Sequence, residues 1–378
     1  MRSKPRVLVC GTNYGRFYLS AFIQENCGFE LAGILATGSA RSQALAKEFG
    51  VPLYSTTDQL PVNIDFACVA VKSTLLGGAG TRIALELLRR GIHVVQEHPL
   101  HSADLAEVLR LARQLGLQYH VNSNFVHVGA VQIFMDYVCQ SACYERPRFI
   151  DLTTALPYSA LDIVGQALGT LEPFNLHITL EPLATSGNVA PFCCLGGEIA
   201  GIPVSCKVQN YFDPDDSLHN YLVMHRICIG AESGNVSLLN PFGPVIWTQG
   251  YPRSDKSEQL GAGPATVMAG HFGAGREAGT APTSVQFTAE DAPSYGEIFS
   301  IHWPRAILHA LETLHHAAER GETPPFQQEG YLTALARAWV EVMRLCGKPV
   351  AVPRKKRIFA MPDPVQYRDA LTGSRGAR

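Results

Sequence analysis

The residues best suited to chemistry stand in one short run, Gln96-Glu97-His98-Pro99-Leu100-His101. A histidine, with an unperturbed pKa of about 6.5, is close to the best proton donor for a reaction at neutral pH. His98 follows the apolar run His93-Val94-Val95, and residues just past such a strand face the ligand in open parallel sheets. His101 and His127 are substitute donors, and Asp162, opening a helix after Pro157-Tyr158-Ser159, is a candidate to orient His98 or bind substrate.

A second constellation lies at the start of the chain. Arg6-Val7-Leu8-Val9-Cys10 is an apolar strand that stops at Gly11 and passes into an amphipathic segment, the handover at which a helix N-terminus receives a pyrophosphate. Gly11 takes the first place of the dinucleotide fingerprint, Asn13 the second and Arg16 the third, with Gly15 between. Asn tolerates left-handed backbone, so Asn13 is expected to make a glycine-like turn. Gly11, Thr12, Asn13, Tyr14 and Gly15 are the expected pyrophosphate cradle.

An NAD site places an acid at the end of the second strand. Here that strand runs into Ala36-Thr37-Gly38-Ser39-Ala40-Arg41-Ser42 with no carboxylate. Thr37, hydroxyls at Ser39 and Ser42, and a guanidinium at Arg41 suit a 2′-phosphate, so NADP(H) is the expected cofactor. Ser39 also reads as a helix N-cap. Val71, Lys72, Ser73, Glu97 and His98, at later strand ends, are expected along the ribose and nicotinamide.

The elements that must position these groups are legible from periodicity. Strands at 6–10, 31–36, 65–71, 93–97 and 118–122 alternate with helical segments at 17–24, 41–49, 79–90 and 103–115, the signature of a doubly wound α/β parallel sheet. After a helix near 131–139, longer β-rich runs at 148–155, 200–211, 222–230 and 234–239 accompany helices at 160–168, 305–320 and 331–345. The expected plan is therefore α/β: a Rossmann domain over 1–125, an α+β domain with an open, mostly antiparallel sheet over 126–350, and a tail over 351–378. A Gly- and Ser-rich loop, Ser254 to Thr283, reads as a lid or partner-facing segment.

Lys plus Arg number 31 against 33 Asp plus Glu, a net charge of −2, which gives no electrostatic case for nucleic acid or an anionic membrane. Apolar content is 46% of the 378 residues, yet no stretch is long enough to span a bilayer, so a cytoplasmic location is expected. Ten dispersed cysteines, among them Cys139 and Cys143 without a second short-spaced pair, read as reduced thiols with no metal site.

Glu97-His98-Pro99 resembles the Glu-Lys-Pro motif of the glucose–fructose oxidoreductase, inositol dehydrogenase and biliverdin reductase superfamily, with His98 in place of the lysine. That exchange argues against a sugar or polyol dehydrogenase; a non-catalytic NADP-binding regulator is a further alternative. Together with Gly-Ser-Ala-Arg-Ser at 38–42, Gly77-Gly78-Ala79-Gly80-Thr81 and Tyr158-Ser159-Ala160-Leu161-Asp162, the run resembles the thiazolinyl imine reductases of yersiniabactin and pyochelin siderophore assembly. The resemblance implies NADPH-dependent reduction of a thiazoline C=N, on an intermediate tethered to a nonribosomal peptide synthetase carrier domain. A homodimer is the expected assembly. Phe125 stands where the resemblance places a tyrosine, which shifts the proton-donating role to His98.

Overall fold

The computed structural model describes residues 4–73, 78–180, 190–215, 221–250, 282–288, 291–352, 364–366 and 368. The loop at 254–283, apart from Pro282 and Thr283, and the basic run at 354–357 lie outside the described residues, as do Thr74 and Gly77.

Six parallel strands form the first sheet: β1 (Arg6–Cys10), β2 (Glu30–Leu35), β3 (Leu53–Tyr54), β4 (Phe66–Val69), β5 (His93–Glu97) and β6 (Tyr119–Asn122), in the order β3-β2-β1-β4-β5-β6. Chain order reverses across β1, so the crevice beyond its carboxyl end is the natural ligand site. The strands are apolar on both faces because helices cover them. These are α1 (Gly15–Leu19, extended by a 3-10 turn to Ile23), α2 (Ala40–Phe49), α3 (Gly80–Arg89) and α4 (Ser102–Leu115). In α3 the buried Thr81, Ala84, Leu85 and Leu88 recur at helical spacing, so one stripe meets the sheet.

After α5 (Gly129–Ser141) comes a mostly antiparallel eight-stranded sheet. Its strands are β7 (Phe149–Thr154), β8 (Phe174–Leu180), β9 (Phe192–Ile199), β10 (Ile202–Gln209), β12 (His225–Gly230), β13 (Gly234–Leu238), β14 (Val245–Gln249) and β15 (Ser284–Gln286). Only β7 and β10 run parallel. A short pair, β11 (Tyr211–Phe212) with β16 (Val350–Ala351), stands apart. In β10, buried Ile202, Val204, Cys206 and Val208 alternate with exposed Pro203, Ser205 and Lys207, so one face packs and the other is open. The packed face carries α5, α6 (Pro157–Leu168) and α8 (Glu329–Cys346).

The architecture expected from periodicity is the one observed. Strands β3, β8, β9, β14, β15 and β16 are additions to the expected elements. Helix α7 (Trp303–Arg320) continues from a π-helical turn at Ile298–His302 and packs on α1, β5 and β6, so the chain returns to its first sheet.

Candidate active site

The nucleotide end is built on the turn after β1. Gly11 has φ +93°, and a Cβ there would lie 3.0 Å from the Ala70 carbonyl and 3.0 Å from Val71 Cγ2. Only glycine fits that conformation and that approach. Asn13 corrects an expectation: among the described residues the non-glycine positions of positive φ are Asn124 and Ala200, so Asn13 does not make a left-handed turn. Its side chain instead accepts a 3.0 Å hydrogen bond from Arg41 Nη1.

A cavity of about 1710 Å³ lies along the carboxyl ends of the first sheet's strands. Gly11, Thr12, Asn13, Tyr14, Thr37, Arg41, Val71, Lys72, Glu97 and His98 all line it. From the end of β2 to the end of β5 is three strand spacings, about 14 Å, room for an extended dinucleotide. Arg82, Glu86, Thr57 and Asp58 close the end beyond Arg41; Glu86 there accepts from Thr57 at 2.9 Å and Arg82 at 3.1 Å.

Four expected cofactor residues do not face this cavity. Gly15 is buried in α1. Ser39 caps α2, accepting from the Ser42 N–H at 3.3 Å. Ser42 is fully buried and donates to the Ser39 carbonyl at 2.8 Å, so its hydroxyl is spent inside the turn. Ser73 is buried and donates to the Pro99 carbonyl at 2.7 Å.

At the chemical end, His98 leaves β5 through a cis peptide to Pro99. Its Nδ1 lies 2.9 Å from the Asn122 carbonyl and 3.0 Å from Glu97 Oε1. Both partners accept, so Nδ1 carries a hydrogen. Nε2 sits 3.0 Å from the Ser159 hydroxyl, and that hydroxyl is 3.4 Å from the Ser123 carbonyl. Ser159 can donate to neutral Nε2, or turn its proton to Ser123 and accept from the imidazolium. Either charge state of His98 is thus satisfied without movement. The ring stacks on Tyr158, centroids 5.0 Å apart, which fixes its plane. Burial opposes protonation of His98, but the Glu97 carboxylate, the Asn122 carbonyl and the charge of Asp162 together hold it above its ordinary value.

Asp162 is brought near His98 but not onto it. Its Oδ2 accepts from Ser123 at 2.7 Å, and its Oδ1 from Tyr331 at 2.8 Å and Gln166 at 2.9 Å. Burial pushes its carboxyl above the usual range against those three donors. It lies off the cavity wall, so its geometry is that of a buried anchor beneath the site. His101 is a correction too: its Nδ1 accepts from the Ala103 N–H at 3.2 Å and caps α4, away from the cavity. His127 faces His309, Nδ1 to Nδ1 at 2.9 Å. Phe125 does line the cavity, wedged edge-on between His225 at 4.6 Å and Trp303 at 5.3 Å.

Sequence reasoning missed much of the wall. Phe17, Tyr221 to Met224, Phe242, Phe299 and Trp303 form an apolar side facing His98, drawn from segments far apart in the chain. It also missed Tyr18, which donates to Glu97 from behind, and Asn122, which donates to the Tyr18 hydroxyl. No local pattern announces partners 79 and 104 residues apart.

Comparison with protein families places these features among known proteins. A model described as an oxidoreductase family with an NAD-binding Rossmann fold matches residues 5–123, and one described as the C-terminal part of thiazolinyl imine reductase Irp3-like proteins matches residues 145–248. Comparison with curated proteins finds no match. Among solved structures, an oxidoreductase from Agrobacterium radiobacter in complex with NAD+, L-tartaric acid and magnesium has a TM-score of 0.62 at 13% identity, covering 91% of this chain and 96% of that one. A dehydrogenase from Chromobacterium violaceum gives 0.62 at 12%, covering 99% of both chains. Biliverdin reductase from Synechocystis, in complex with biliverdin and NADP+, gives 0.58 at 14%, covering 91% and 99%. Such identities establish a shared fold.

Proposed function

We propose, from a chain that belongs to the Gfo/Idh/MocA oxidoreductase family, with an NAD(P)-binding Rossmann fold and an Irp3-like second domain, that it reduces a thiazoline C=N to a thiazolidine. The substrate in this reading is a siderophore intermediate on a carrier domain, and the reductant is NADPH. The observation that carries it is His98, held on the cavity wall by Glu97 on one nitrogen and Ser159 on the other.

The bound nicotinamide would supply hydride to the imine carbon. The chain's own residues then have three tasks. Gly11 to Tyr14 cradle the phosphates, and Arg41, beside a strand end without an acid, faces the 2′-phosphate. The apolar wall of Phe17, Phe242, Phe299 and Trp303 excludes water from the reacting carbon. His98, kept protonated by Glu97, gives its Nε2 proton to the imine nitrogen as negative charge builds there, and Ser159 turns its hydroxyl to donate to the emptied Nε2. Phe125, lacking a hydroxyl, shapes the wall and takes no part in proton transfer.

The test is NADPH oxidation by the purified protein with a thiazoline-bearing acyl thioester, against sugars and polyols. Turnover of the thioester alone, reduced about 100-fold in His98→Asn with NADPH affinity retained, is the expected outcome. Turnover of polyols instead, or inertness toward all of them despite tight NADPH binding, defeats the proposal.

A further inference from the structure

We propose that Tyr18 is the positioning residue of the reaction centre: from α1 it grips the Glu97 carboxylate and competes with His98 for its charge, so the helix behind the nucleotide turn governs how His98 holds its proton. The inference rests on the reading of His98 as the proton donor.

The clamp is a closed circuit of buried groups. Asn122 Nδ2 donates to the Tyr18 hydroxyl at 2.6 Å, that hydroxyl donates to Glu97 Oε2, and Glu97 Oε1 meets His98 Nδ1 at 3.0 Å. The circuit returns through the 2.9 Å contact of His98 Nδ1 with the Asn122 carbonyl. Asn122 is itself fixed, its Oδ1 accepting from the Asn124 N–H at 2.8 Å. Tyr18 is 1% exposed, and burial drives its phenol well above the ordinary value, so the hydroxyl is a neutral donor at any working pH. It therefore touches neither the cavity nor a substrate; it acts through Glu97.

The consequence is electrostatic. A carboxylate that accepts from Tyr18 on one oxygen shares its charge between that donor and His98. Removing the hydroxyl leaves more of the charge to His98 and strengthens its hold on the proton. The other groups facing the pair are Tyr158 and Asp162 on α6, His225 on β12, Tyr14 on α1 and Cys68 on β4. All are unaltered by a change at Tyr18. Because Tyr18 lies one helical turn beyond Tyr14, which lines the nucleotide cavity, any shift of α1 on nucleotide binding is felt at Glu97.

The experiment is an NMR titration of histidine ¹⁵N-labelled protein, with His98 assigned by the signal lost in His98→Gln. In Tyr18→Phe the His98 midpoint is expected to rise by about half a unit to one unit. Asn122→Ser, which removes the amide donor to the tyrosine and leaves the Glu97 contact of Tyr18 in place, is expected to give a smaller rise. In a Glu97→Gln background Tyr18→Phe is expected to have no effect. An unchanged or lowered midpoint in Tyr18→Phe, or a shift that persists without the Glu97 carboxylate, overturns the proposal. This readout needs no substrate, so a rise in a protein inert toward thiazolines would sink the functional reading and leave the clamp standing.

Discussion

In the proposed reaction His98 and Arg41, which both line the cavity, divide the chemistry of the site between them. Arg41 is tied to Asn13, the residue that replaces a fingerprint glycine, so the odd member of the turn serves to aim a cation over it. Replacing Arg41 with Ala is expected to weaken NADPH binding about tenfold or more and NADH by less than about twofold, since one charge-assisted bidentate contact is at stake. Fluorescence titration with both nucleotides decides it; equal losses would remove the 2′-phosphate from the argument. At this scale the sequence revealed residue types better than directions. It disclosed His98, Arg41 and the acid-free strand end, because each is a local departure from a pattern. Ser42 and Ser73 looked equally suitable but turn their hydroxyls into backbone carbonyls, and whether a hydroxyl faces a ligand or its own turn is decided by packing that no local pattern encodes. Ser159 and Tyr18 were missed for the converse reason, their partners being remote in sequence.

Among the elements, β6 ends the first sheet, where an uncovered strand would expose a row of backbone groups. A glutamine replaces the missing strand. Gln327, following α7, accepts from the Val121 N–H at 2.8 Å and donates to the Val121 carbonyl at 3.1 Å, as a neighbouring strand would. Thr323 adds a 3.0 Å bond to Gln118 of the same edge. Gln327→Leu leaves two buried backbone groups unpaired and is expected to cost about 2–4 kcal/mol of stability, read from urea denaturation. A loss below about 0.5 kcal/mol would show that water satisfies the edge equally well. The central parallel strands were legible because burial on both faces makes them continuous apolar runs, as in Val7 to Cys10 and Phe66 to Val69. Strand β9 was not, since Gly196 and Gly197 interrupt its apolar run; β8 does alternate Phe174, Leu176, Ile178 and Leu180 with Asn175, His177 and Thr179, a period-two signal that the sequence reading overlooked.

In the whole molecule, burial has made several histidines neutral. His120 on β6, His127 before α5 and His225 on β12 are each pushed down to about 3, mainly by burial. His309, in contact with His127 from α7, is lowered for the same reason. Unfolding returns each to its ordinary value near 6.5, so the unfolded chain binds more protons below that pH and stability falls as pH drops from about 6.5 toward 3. Each of the three most lowered groups steepens the fall by on the order of 1.4 kcal/mol per pH unit within that window. His98 has the opposite sign: held above its ordinary value, it contributes fully below 6.5 and loses that contribution as pH rises through its folded midpoint. The lowered histidines outnumber it and dominate on the acid side. Because His127 is packed against α7, acid is expected to act where that helix returns to the first sheet. Denaturant midpoints measured from pH 7.5 to pH 4.5 are thus expected to decline from near pH 6.5, with His225→Gln flattening the slope by about one proton's worth. A profile flat to pH 5, or a slope unaltered in the variant, would show that these imidazoles take up protons in the folded state, and that burial does not keep them neutral.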